Sequence, residues 1–398
     1  MNEKGLATKL TQIGGGENNK KLLQTASVPE VMPIYMTSVF AFDDVPSVDA
    51  IYEKKSDGYV YSRMSNPSTD NVAKILAAAE DGEDALLFSS GMAAIIATIL
   101  ANVKAGDHII ASSVLYGGVY DFFSNELKRF NVEVTFVNFI NDDFEKYIRP
   151  NTKIIYTETI SNPLMEVVDI PKIAEITHKH NLKLIVDNTF ATPIIAKVLP
   201  LGADIVVYSV TKYMGGHSDI VGGAVISNEE NINQIKRVQV LYGAIMSPFD
   251  SWLLARSLRT LELRVEKHSK NAIKVAKFLE SHSKIEKVFY PGLESSPSHY
   301  TAKKLFPNGY FGGMLSANLI GGEKEASTLI EKCKNIKFVP SLAGVVTSIS
   351  YAAKTSHRSY SKEEMDKAGI TMGQLRFSIG LEDLDDIIKE LSNALDCI

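Results

Sequence analysis

The stretch ADIVVYSVTKYMGGHSD, residues 203–219, places a short apolar run before a polar turn that contains Lys212. A short run that is rich in β-branched residues and followed by glycines is typical of a strand buried on both faces of a parallel sheet. In open α/β sheets, ligands bind beyond the carboxyl ends of such strands. The sequence therefore predicts that Lys212 lies at a ligand-binding edge.

Six further apolar runs of this kind occur between residues 84 and 227, and helix-like segments separate them. They are DALLFSS (84–90), DHIIASS (107–113), VEVTFVNF (132–139), KIIYTETI (153–160), LKLIVDNTF (182–190) and GGAVIS (222–227). Alternation of buried strands with helices is typical of α/β proteins. We expect an α/β fold with a mainly parallel central sheet for the middle of the chain.

The segments on either side of this region have a different pattern. Residues 1–60 mix polar stretches, glycines at 14–16 and a short β-like piece, and they predict an extended N-terminal arm. After Ser247, apolar residues recur at helical spacing, which predicts a long helix and the start of a second, smaller domain. Another amphipathic helix is expected after Asp383. The expected division is an arm at 1–60, a large domain at 61–250 and a C-terminal domain at 251–398.

The composition indicates a globular protein without a basic binding surface. Of the 398 residues, 45% are hydrophobic and 22% are charged, and the formal net charge is -5. We expect a small-molecule partner rather than nucleic acid, because basic residues are scattered among acidic ones. No apolar run or signal-like N-terminus points to a membrane. Cys333 and Cys397 lack nearby second ligands, so neither disulfides nor a metal site is predicted, and a reducing cytoplasmic setting is expected.

Asp187 and Lys212 each follow an apolar run and have the chemistry that pyridoxal phosphate (PLP) requires. A PLP enzyme needs a lysine amine that forms a Schiff base with the cofactor, and a carboxylate that keeps the pyridine nitrogen protonated. An isolated pair of this kind has an ordinary alternative, a solvated lysine and an aspartate that caps a turn. The hypothesis therefore depends on the surrounding residues.

A phosphate-binding turn is indicated at Ser90, Gly91 and Met92, between an apolar strand run and an apolar helix. Backbone amides at the start of a helix bind anions, and the helix dipole favours negative charge there. Ser209 and Thr211 can add hydroxyl groups to the same phosphate. The alternative is an ordinary strand-to-helix junction in which these hydroxyls only satisfy backbone groups.

Tyr116 follows the second apolar run and stands beside two glycines in the sequence LYGG. The glycines would let a flat ring approach the backbone closely, so the phenol ring could stack on the pyridine ring of the cofactor. An aromatic residue at the end of a strand is more often part of the core. The role of Tyr116 therefore also depends on the other residues.

Seven segments, in this order and spacing, resemble the Cys/Met-metabolism PLP-dependent enzyme family. They are YSRMSNPS (61–68), FSSGMAA (88–94), LYGG (115–118), VDNTF (186–190), YSVTKYMGGHSDIVGG (208–223), SPFDSWLLARSLRTL (247–261) and QLRFSIGLED (374–383). The family includes methionine γ-lyase, cystathionine γ-lyase and cystathionine γ-synthase. The resemblance implies the PLP-dependent transferase fold (aspartate-aminotransferase-like, fold type I), with a smaller C-terminal α/β domain.

The resemblance implies a role for each candidate residue around the cofactor. Lys212 would carry PLP as a Schiff base and move protons between substrate carbons. Asp187 would pair with the pyridinium nitrogen, and Tyr116 would stack on the ring and assist the leaving group. The residues that would bind the phosphate within one subunit are Ser90, Gly91, Met92, Ser209 and Thr211.

The resemblance also implies a substrate-binding group and a multimer. Arg376 would bind the substrate carboxylate bidentately, and Ser341 and Asn162 would complete its surroundings. Tyr61 and Arg63 would reach the cofactor phosphate of a neighbouring subunit. A homotetramer with shared active sites is therefore expected.

The expected activity is carbon–sulfur bond cleavage in a sulfur-containing amino acid. Family members that bind cystathionine usually carry an arginine soon after the YGG turn and a glutamate after the SLGG segment. This chain has Asp121 in the first region and Val345, Val346 and Thr347 in the second. We therefore predict α,γ-elimination of L-methionine, although Gly118 stands where methionine γ-lyases often have cysteine. The alternatives are a cystathionine γ-lyase or a γ-replacement transferase, such as cystathionine γ-synthase or O-acetylhomoserine sulfhydrylase.

Two alternatives come from other classes of protein. Tyr208 and Lys212 also fit the YxxxK spacing of short-chain dehydrogenases, but the glycines at 14–16 follow no apolar strand run and form no dinucleotide turn. A PLP-binding regulator without catalysis is the second alternative. Such a regulator would need no substrate-binding arginine like Arg376.

Overall fold

The computed structural model describes residues 5–12, 29–355, 358, 362–367 and 369–398, and its strands form two sheets. The seven-stranded sheet contains Asp84–Phe88 (β1), His108–Ser112 (β2), Glu133–Val137 (β3), Thr152–Glu158 (β4), Lys183–Asp187 (β5), Ile205–Tyr208 (β6) and Gly223–Ser227 (β7). The five-stranded sheet contains Ile285–Phe289 (β8), Met314–Leu319 (β9), Lys337–Phe338 (β10), Ser348–Ser350 (β11) and Gln374–Ser378 (β12). Every strand predicted between residues 84 and 227 is confirmed.

The larger sheet is mainly parallel, with the strand order β1-β7-β6-β5-β4-β2-β3. β2 pairs in parallel with β3 and β4, and β4 pairs in parallel with β5, whereas β1 is antiparallel to β7. The β4–β5 register sets Glu158 directly opposite Asp187 at the carboxyl ends of the two strands. The predicted α/β fold class is confirmed.

The smaller sheet has the order β10-β11-β12-β9-β8 and is antiparallel except at the β10–β11 pair. Its core includes Phe377 of β12, Leu279 from the helix Leu261–Glu280 and Leu391 from the helix Leu384–Leu395, all fully buried. Burial of large apolar side chains contributes about 1.5–3 kcal/mol each. The predicted C-terminal α/β region with its final amphipathic helix is confirmed.

The helices of the described residues depart from the sequence prediction at two places. The stretch after Ser247 forms two helices rather than one long helix. The predicted extended arm contains two short helices. The glycines of the arm, at 14–16, lie outside the described residues. The α-helices are Leu6–Gln12, Val45–Tyr52, Pro67–Glu80, Gly91–Asn102, Gly117–Asp121, Leu127–Arg129, Ile170–Lys179, Thr192–Ile195, Glu229–Tyr242, Pro248–Leu258, Leu261–Glu280, His299–Leu305, Glu323–Lys332, Lys362–Lys367 and Leu384–Leu395. Phe122–Glu126 is a π-helix, and Phe144–Tyr147 and Ala352–Lys354 are 3₁₀-helices.

Capping side chains explain where several of these helices begin and end. The Asn228 side chain accepts a hydrogen bond from the Asn231 amide at the start of Glu229–Tyr242, and Gly243 ends that helix in the left-handed conformation. Ser247 caps the next helix through the Asp250 amide, and Pro248 occupies its first turn. These are the residue types that satisfy the orphan amides and carbonyls of helix ends.

The density of internal packing divides the chain into two compact units. The first contains Met1–Asn102, Val207–Thr211 and Asp219–Arg259, and the second contains Val103–Val206, Lys212–Ser218 and Thr260–Ile398. The predicted division at residues 60 and 250 stays a prediction. Among the helices of the described residues, none has the length and apolar character that crossing a membrane requires.

Candidate active site

A turn with unpaired backbone donors lies in the first unit, where β1 leads into the helix Gly91–Asn102. The hydroxyl of Ser90 accepts a hydrogen bond from the Ala93 amide at 3.0 Å and so caps the helix. Within the described part of the chain, the amides of Gly91 and Met92 have no protein acceptor. Unpaired amides at a helix start are donors for an anion, and the helix dipole adds to the attraction.

Gly91 permits a close approach between this turn and Ser209 within the first unit. A Cβ atom at Gly91 would lie 2.8 Å from the Cβ of Ser209, which is closer than real side chains come. Thr211, by contrast, uses its hydroxyl within its own loop: it accepts from the Gly222 amide at 3.0 Å and donates to the Gly222 carbonyl at 3.2 Å. The structure therefore brings Ser209 to the turn and shows Thr211 engaged with backbone.

Tyr61 and Arg63, the residues expected to serve a neighbouring subunit, are exposed on the first unit. The guanidinium of Arg63 lies 5.5 Å from the centre of the Tyr61 ring, and its Nη1 donates to the Val240 carbonyl at 2.8 Å. The two side chains thus form one basic and aromatic patch. Their role toward a second subunit stays a prediction.

The second unit collects its candidate residues at the carboxyl edge of β2, β4 and β5. Tyr116 follows β2, Asn162 follows β4, and Asp187 is the last residue of β5. Because these strands are parallel, their carboxyl ends share one edge of the sheet. The ring of Tyr116 is 45% exposed, so this aromatic residue is not part of the core.

Asp187 is a partly buried carboxylate at this edge. Its Oδ1 accepts a hydrogen bond from the Thr189 amide at 2.9 Å. Burial raises the pKa of Asp187 to about 6, and the hydrogen bonds from Thr189 oppose that rise. At neutral pH this carboxylate is charged, so it suits a protonated ring nitrogen.

Lys212 is also partly buried, and its Nζ donates to the hydroxyl of Ser341 at 3.3 Å. Burial and, to a smaller extent, the positive charge of Arg376 lower the pKa of Lys212 to about 8. About a tenth of the amine is therefore neutral at pH 7, far more than for an ordinary lysine, and a neutral amine is the nucleophilic form. The structure thus brings Lys212 and Ser341 together, whereas the role of Ser341 toward a substrate carboxylate stays a prediction.

A buried arginine that sequence reasoning missed anchors the backbone after Lys212. Arg264 donates from Nη1 to the Tyr213 carbonyl at 2.5 Å and from Nη2 to the Met214 carbonyl at 3.3 Å. A Cβ atom at Gly216 would lie 2.1 Å from Nη1 of Arg264, so the glycine makes room for the guanidinium. The feature of the sequence that could have indicated this role is the position of Arg264 on the apolar face of the helix Leu261–Glu280.

Arg376 lies in β12 and has only 5% of its surface exposed. Its Nη1 donates to Oδ1 of Asn162 at 2.7 Å, while its Nε has no hydrogen-bond partner within the described part of the chain. Burial lowers the pKa of Arg376 to about 10, so the group remains a cation at neutral pH. A buried cation with an unused donor fits a carboxylate ligand.

Glu158, at the end of β4, is the other residue of this edge that sequence reasoning missed. Its side chain is 7% exposed, and its Oε1 accepts a hydrogen bond from the Tyr116 amide at 2.7 Å. The strand register sets it beside Asp187. The sequence KIIYTE (153–158) ends in an acidic residue at the end of a buried strand, just as LKLIVD (182–187) does, and this parallel was the available signal.

The Val345–Thr347 stretch is expected to contact the distal end of a substrate. This stretch exposes little polar surface. Thr347 is buried, and its hydroxyl donates to Glu382 at 2.8 Å, whereas the side chain of Val346 is 57% exposed. Asp121 is exposed at the end of the helix Gly117–Asp121 and accepts from the Asn125 amide group at 2.7 Å. The expectation of an apolar pocket for the distal end of the substrate stays a prediction.

Tyr208 is not available as a catalytic acid. The residue is 1% exposed, and its hydroxyl donates to the carboxylate of Glu80. The YxxxK interpretation, in which this tyrosine would protonate a substrate, is therefore wrong.

Comparison with known proteins decides the family. The model for "Cys/Met metabolism PLP-dependent enzyme" matches residues 10–396. The chain belongs to this family. An L-methionine γ-lyase from Fusobacterium nucleatum subsp. polymorphum is 43% identical over 92% of the chain and 93% of the relative, and a cystathionine γ-lyase from Bacillus subtilis (strain 168) is 41% identical over 86% and 89%.

A solved structure of the same family contains the bound cofactor. A Campylobacter jejuni subsp. jejuni protein assigned as an O-acetylhomoserine (thiol)-lyase carries N′-pyridoxyl-lysine-5′-monophosphate. It superposes with a TM-score of 0.93 at 31% identity, covering 99% of this chain and all of the other. Pyridoxal 5′-phosphate is the family's cofactor, and the fold is that of its PLP-dependent members.

The residues of this chain fit that cofactor chemically. In the first unit, the unpaired amides of Gly91 and Met92 are donors for a phosphate. In the second unit, Lys212 offers an amine with a lowered pKa and Asp187 offers a carboxylate. Among the described residues, no cluster of three or more His, Cys, Asp or Glu side chains could hold a metal ion.

Proposed function

We propose that this protein is a methionine γ-lyase, which converts L-methionine and water to 2-oxobutanoate, ammonia and methanethiol. Its family membership already makes it a PLP-dependent carbon–sulfur lyase of sulfur amino-acid metabolism. The observation that carries the proposal is Arg376, a buried cation whose Nε has no acceptor within the described residues. Such a group suits the α-carboxylate of an amino acid.

The residues around Arg376 would then divide the chemistry among them. Arg376 and Asn162 would orient the substrate carboxylate, and the carboxylate of Asp187 would pair with a protonated ring nitrogen. When bound, PLP supplies an electron sink that stabilises negative charge next to the amino-bearing carbon. The Nζ of Lys212 removes and returns protons on the substrate carbons, which its lowered pKa favours. The hydroxyl of Tyr116 would protonate the departing sulfur.

The proposal assigns phosphate binding to the first unit. Gly91 and Met92 would donate backbone amides, and the capped helix start at Ser90 keeps those amides in place. Ser209 would add its hydroxyl because Gly91 lets it approach the turn. Thr211 would stabilise its loop through its hydrogen bonds to Gly222, rather than bind the phosphate through a free hydroxyl.

We also propose that the protein works as a multimer. Tyr61 and Arg63 are exposed and adjacent, which suits residues that reach the cofactor phosphate of a neighbouring subunit. Light scattering coupled to an activity assay tests this proposal. A dimer of dimers is expected, and a fully active monomer would contradict it.

Two observations favour methionine over cystathionine as the substrate. Asp121 follows the Tyr116 turn in the region where cystathionine-binding members carry an arginine, and Val345, Val346 and Thr347 stand in the region where those members carry a glutamate. The thioether tail of methionine carries no charge. The L-methionine γ-lyase that is 43% identical to this chain supports the choice, whereas the cystathionine γ-lyase at 41% identity supports the alternative.

A keto-acid assay on the purified holoenzyme tests the substrate directly. Methionine, cystathionine and O-acetylhomoserine are each supplied with and without an added thiol, and 2-oxobutanoate is measured. Thiol-independent 2-oxobutanoate from methionine, with kcat/KM at least about tenfold above that for cystathionine, is expected. The Lys212→Ala variant is the matched blank.

Other outcomes would replace the proposal with a named alternative. Preferred cleavage of cystathionine would make the protein a cystathionine lyase. Turnover of O-acetylhomoserine only when thiol is present would make it a γ-replacement transferase. A yellow protein that turns over none of the three would favour a PLP-binding regulator.

A further inference from the structure

Glu158 occupies a position that the proposed chemistry does not use. Successive residues of a strand point to opposite faces, so Tyr156 and Glu158 of β4 point to the same face. The parallel register adds Asp187 beside Glu158. A buried carboxyl group therefore lies next to the carboxylate that is expected to pair with the ring nitrogen.

The contact between Glu158 and Tyr116 joins two residues that are 42 positions apart in sequence. The Tyr116 amide donates to Oε1 of Glu158 at 2.7 Å. Tyr116 is 45% exposed, whereas its neighbours Leu115 and Val119 are fully buried. Its own carbonyl already accepts from the Val119 and Tyr120 amides of the helix that follows. The hydrogen bond to Glu158 is thus a polar contact that joins the Tyr116 backbone to the carboxyl end of β4, beside the packing of the buried neighbours Leu115 and Val119.

The surroundings of Glu158 favour its neutral form. Burial raises the pKa of Glu158 well above its ordinary value, and the charge of Asp187 raises it further. The Tyr116 and Asn162 amides and the cation of Arg376 act in the opposite direction. Two carboxyl groups side by side rarely ionise together, and Asp187 is the one with the pKa of about 6.

We propose that Glu158 is a positioning residue that fixes the turn bearing Tyr116 at the active-site edge by accepting the hydrogen bond of the Tyr116 amide. The inference rests on the proposed function only for what Tyr116 does to a substrate. The anchoring itself is independent of the reaction.

Hydrogen exchange on the holoenzyme without substrate tests the anchor. In Glu158→Ala the Tyr116 amide loses its acceptor, so a peptide that covers this residue should exchange at least about tenfold faster than in the wild type. In Glu158→Gln the amide oxygen can still accept, so exchange should stay within about threefold of the wild type. Glu166→Ala, which removes another partly buried carboxyl group eight positions along the chain, is the matched control and should leave this peptide unchanged.

Activity and cofactor binding provide a second readout of the same variants. Glu158→Ala should lower kcat/KM by at least about tenfold and weaken PLP binding, measured by absorbance titration of the apo protein, whereas Glu158→Gln should restore both to within about threefold. Glu158→Asp, whose side chain is one methylene shorter, serves if the alanine variant does not fold. It should behave like the alanine variant.

Two results would overturn the inference. Unchanged exchange at Tyr116 in Glu158→Ala would show that the hydrogen bond does not hold the turn. Exchange and activity as poor in Glu158→Gln as in Glu158→Ala would show that the residue acts through its charge. A protein without activity on methionine could still show the expected exchange, so the failure of the proposed function is distinguishable from the failure of this inference.

Discussion

The turn at Gly91 and the site around Arg376 both suit an anion, but they are built in different ways. The turn uses backbone amides of consecutive residues at one helix start. The other site sets a buried side-chain cation beside Asn162, which is 214 positions away in sequence. The first depends on local helix geometry, and the second exists only because β12 and the turn after β4, two segments far apart in sequence, come together.

The difference has an energetic consequence. A helix N-terminus carries roughly half an elementary charge, spread over several amides, whereas a guanidinium carries a full charge at one place. Loss of one amide donor leaves others, but loss of Arg376 removes the whole cation and leaves Asn162 without its partner. Variants on the side-chain site should therefore have larger effects than variants on the turn.

The largest effect is expected from Lys212→Ala. Removal of the amine takes away both the cofactor attachment and the proton carrier, so turnover should fall by at least about 10³-fold while the fold is retained. Far-ultraviolet circular dichroism checks the fold, and 2-oxobutanoate release measures turnover. Residual activity within about tenfold of the wild type would refute the assigned role.

Arg376→Ala should weaken substrate binding rather than stop the reaction. The lost charge-assisted hydrogen bond is worth about 1.5–3 kcal/mol, which corresponds to a KM about 10–150-fold higher. Steady-state kinetics with methionine separate KM from kcat. Arg129→Ala removes an exposed arginine that pairs with Glu126, and its KM should match the wild type. A KM that is unchanged in Arg376→Ala would exclude this residue from substrate binding.

Gly91→Ala probes the backbone-built site and should have a moderate effect. The new Cβ would lie 2.8 Å from the Cβ of Ser209, so the turn must shift and its amides lose their alignment. We expect PLP affinity, measured by absorbance titration of the apo protein, to fall by about three- to tenfold. Gly5→Ala, where the added atom meets nothing within 4 Å, is the control. Equal effects from both variants would count against a phosphate role for the turn.

The smallest expected change is a shift in the titration of Lys212. Its amine should acquire reactivity toward trace acetic anhydride in the apo protein with a midpoint near its pKa of about 8, because only the neutral form reacts. A model lysine peptide should titrate near about 10.4. In Arg376→Ala the midpoint should move upward, since the neighbouring cation that disfavours a second positive charge is gone. A downward shift would contradict this electrostatic coupling.

Several features of the site could be predicted from short stretches of sequence. Lys212, Asp187 and Gly91 each stand directly after an apolar run that forms a strand, so their place at a sheet edge follows from strand periodicity. The two helices after Ser247 could not be told from one, because their apolar spacing continues across the break at residues 259–260.

The sequence alone determined which local backbone the candidate residues follow, because strand runs, helix starts and glycine turns depend on neighbours in the chain. Only the tertiary structure decided that Thr211 is engaged with Gly222, that Arg264 anchors the carbonyls after Lys212 and that Glu158 holds the Tyr116 amide. Each of these is a contact between segments far apart in sequence or between a side chain and one particular backbone atom. Their partners are fixed by how strands and helices pack, which no local pattern specifies.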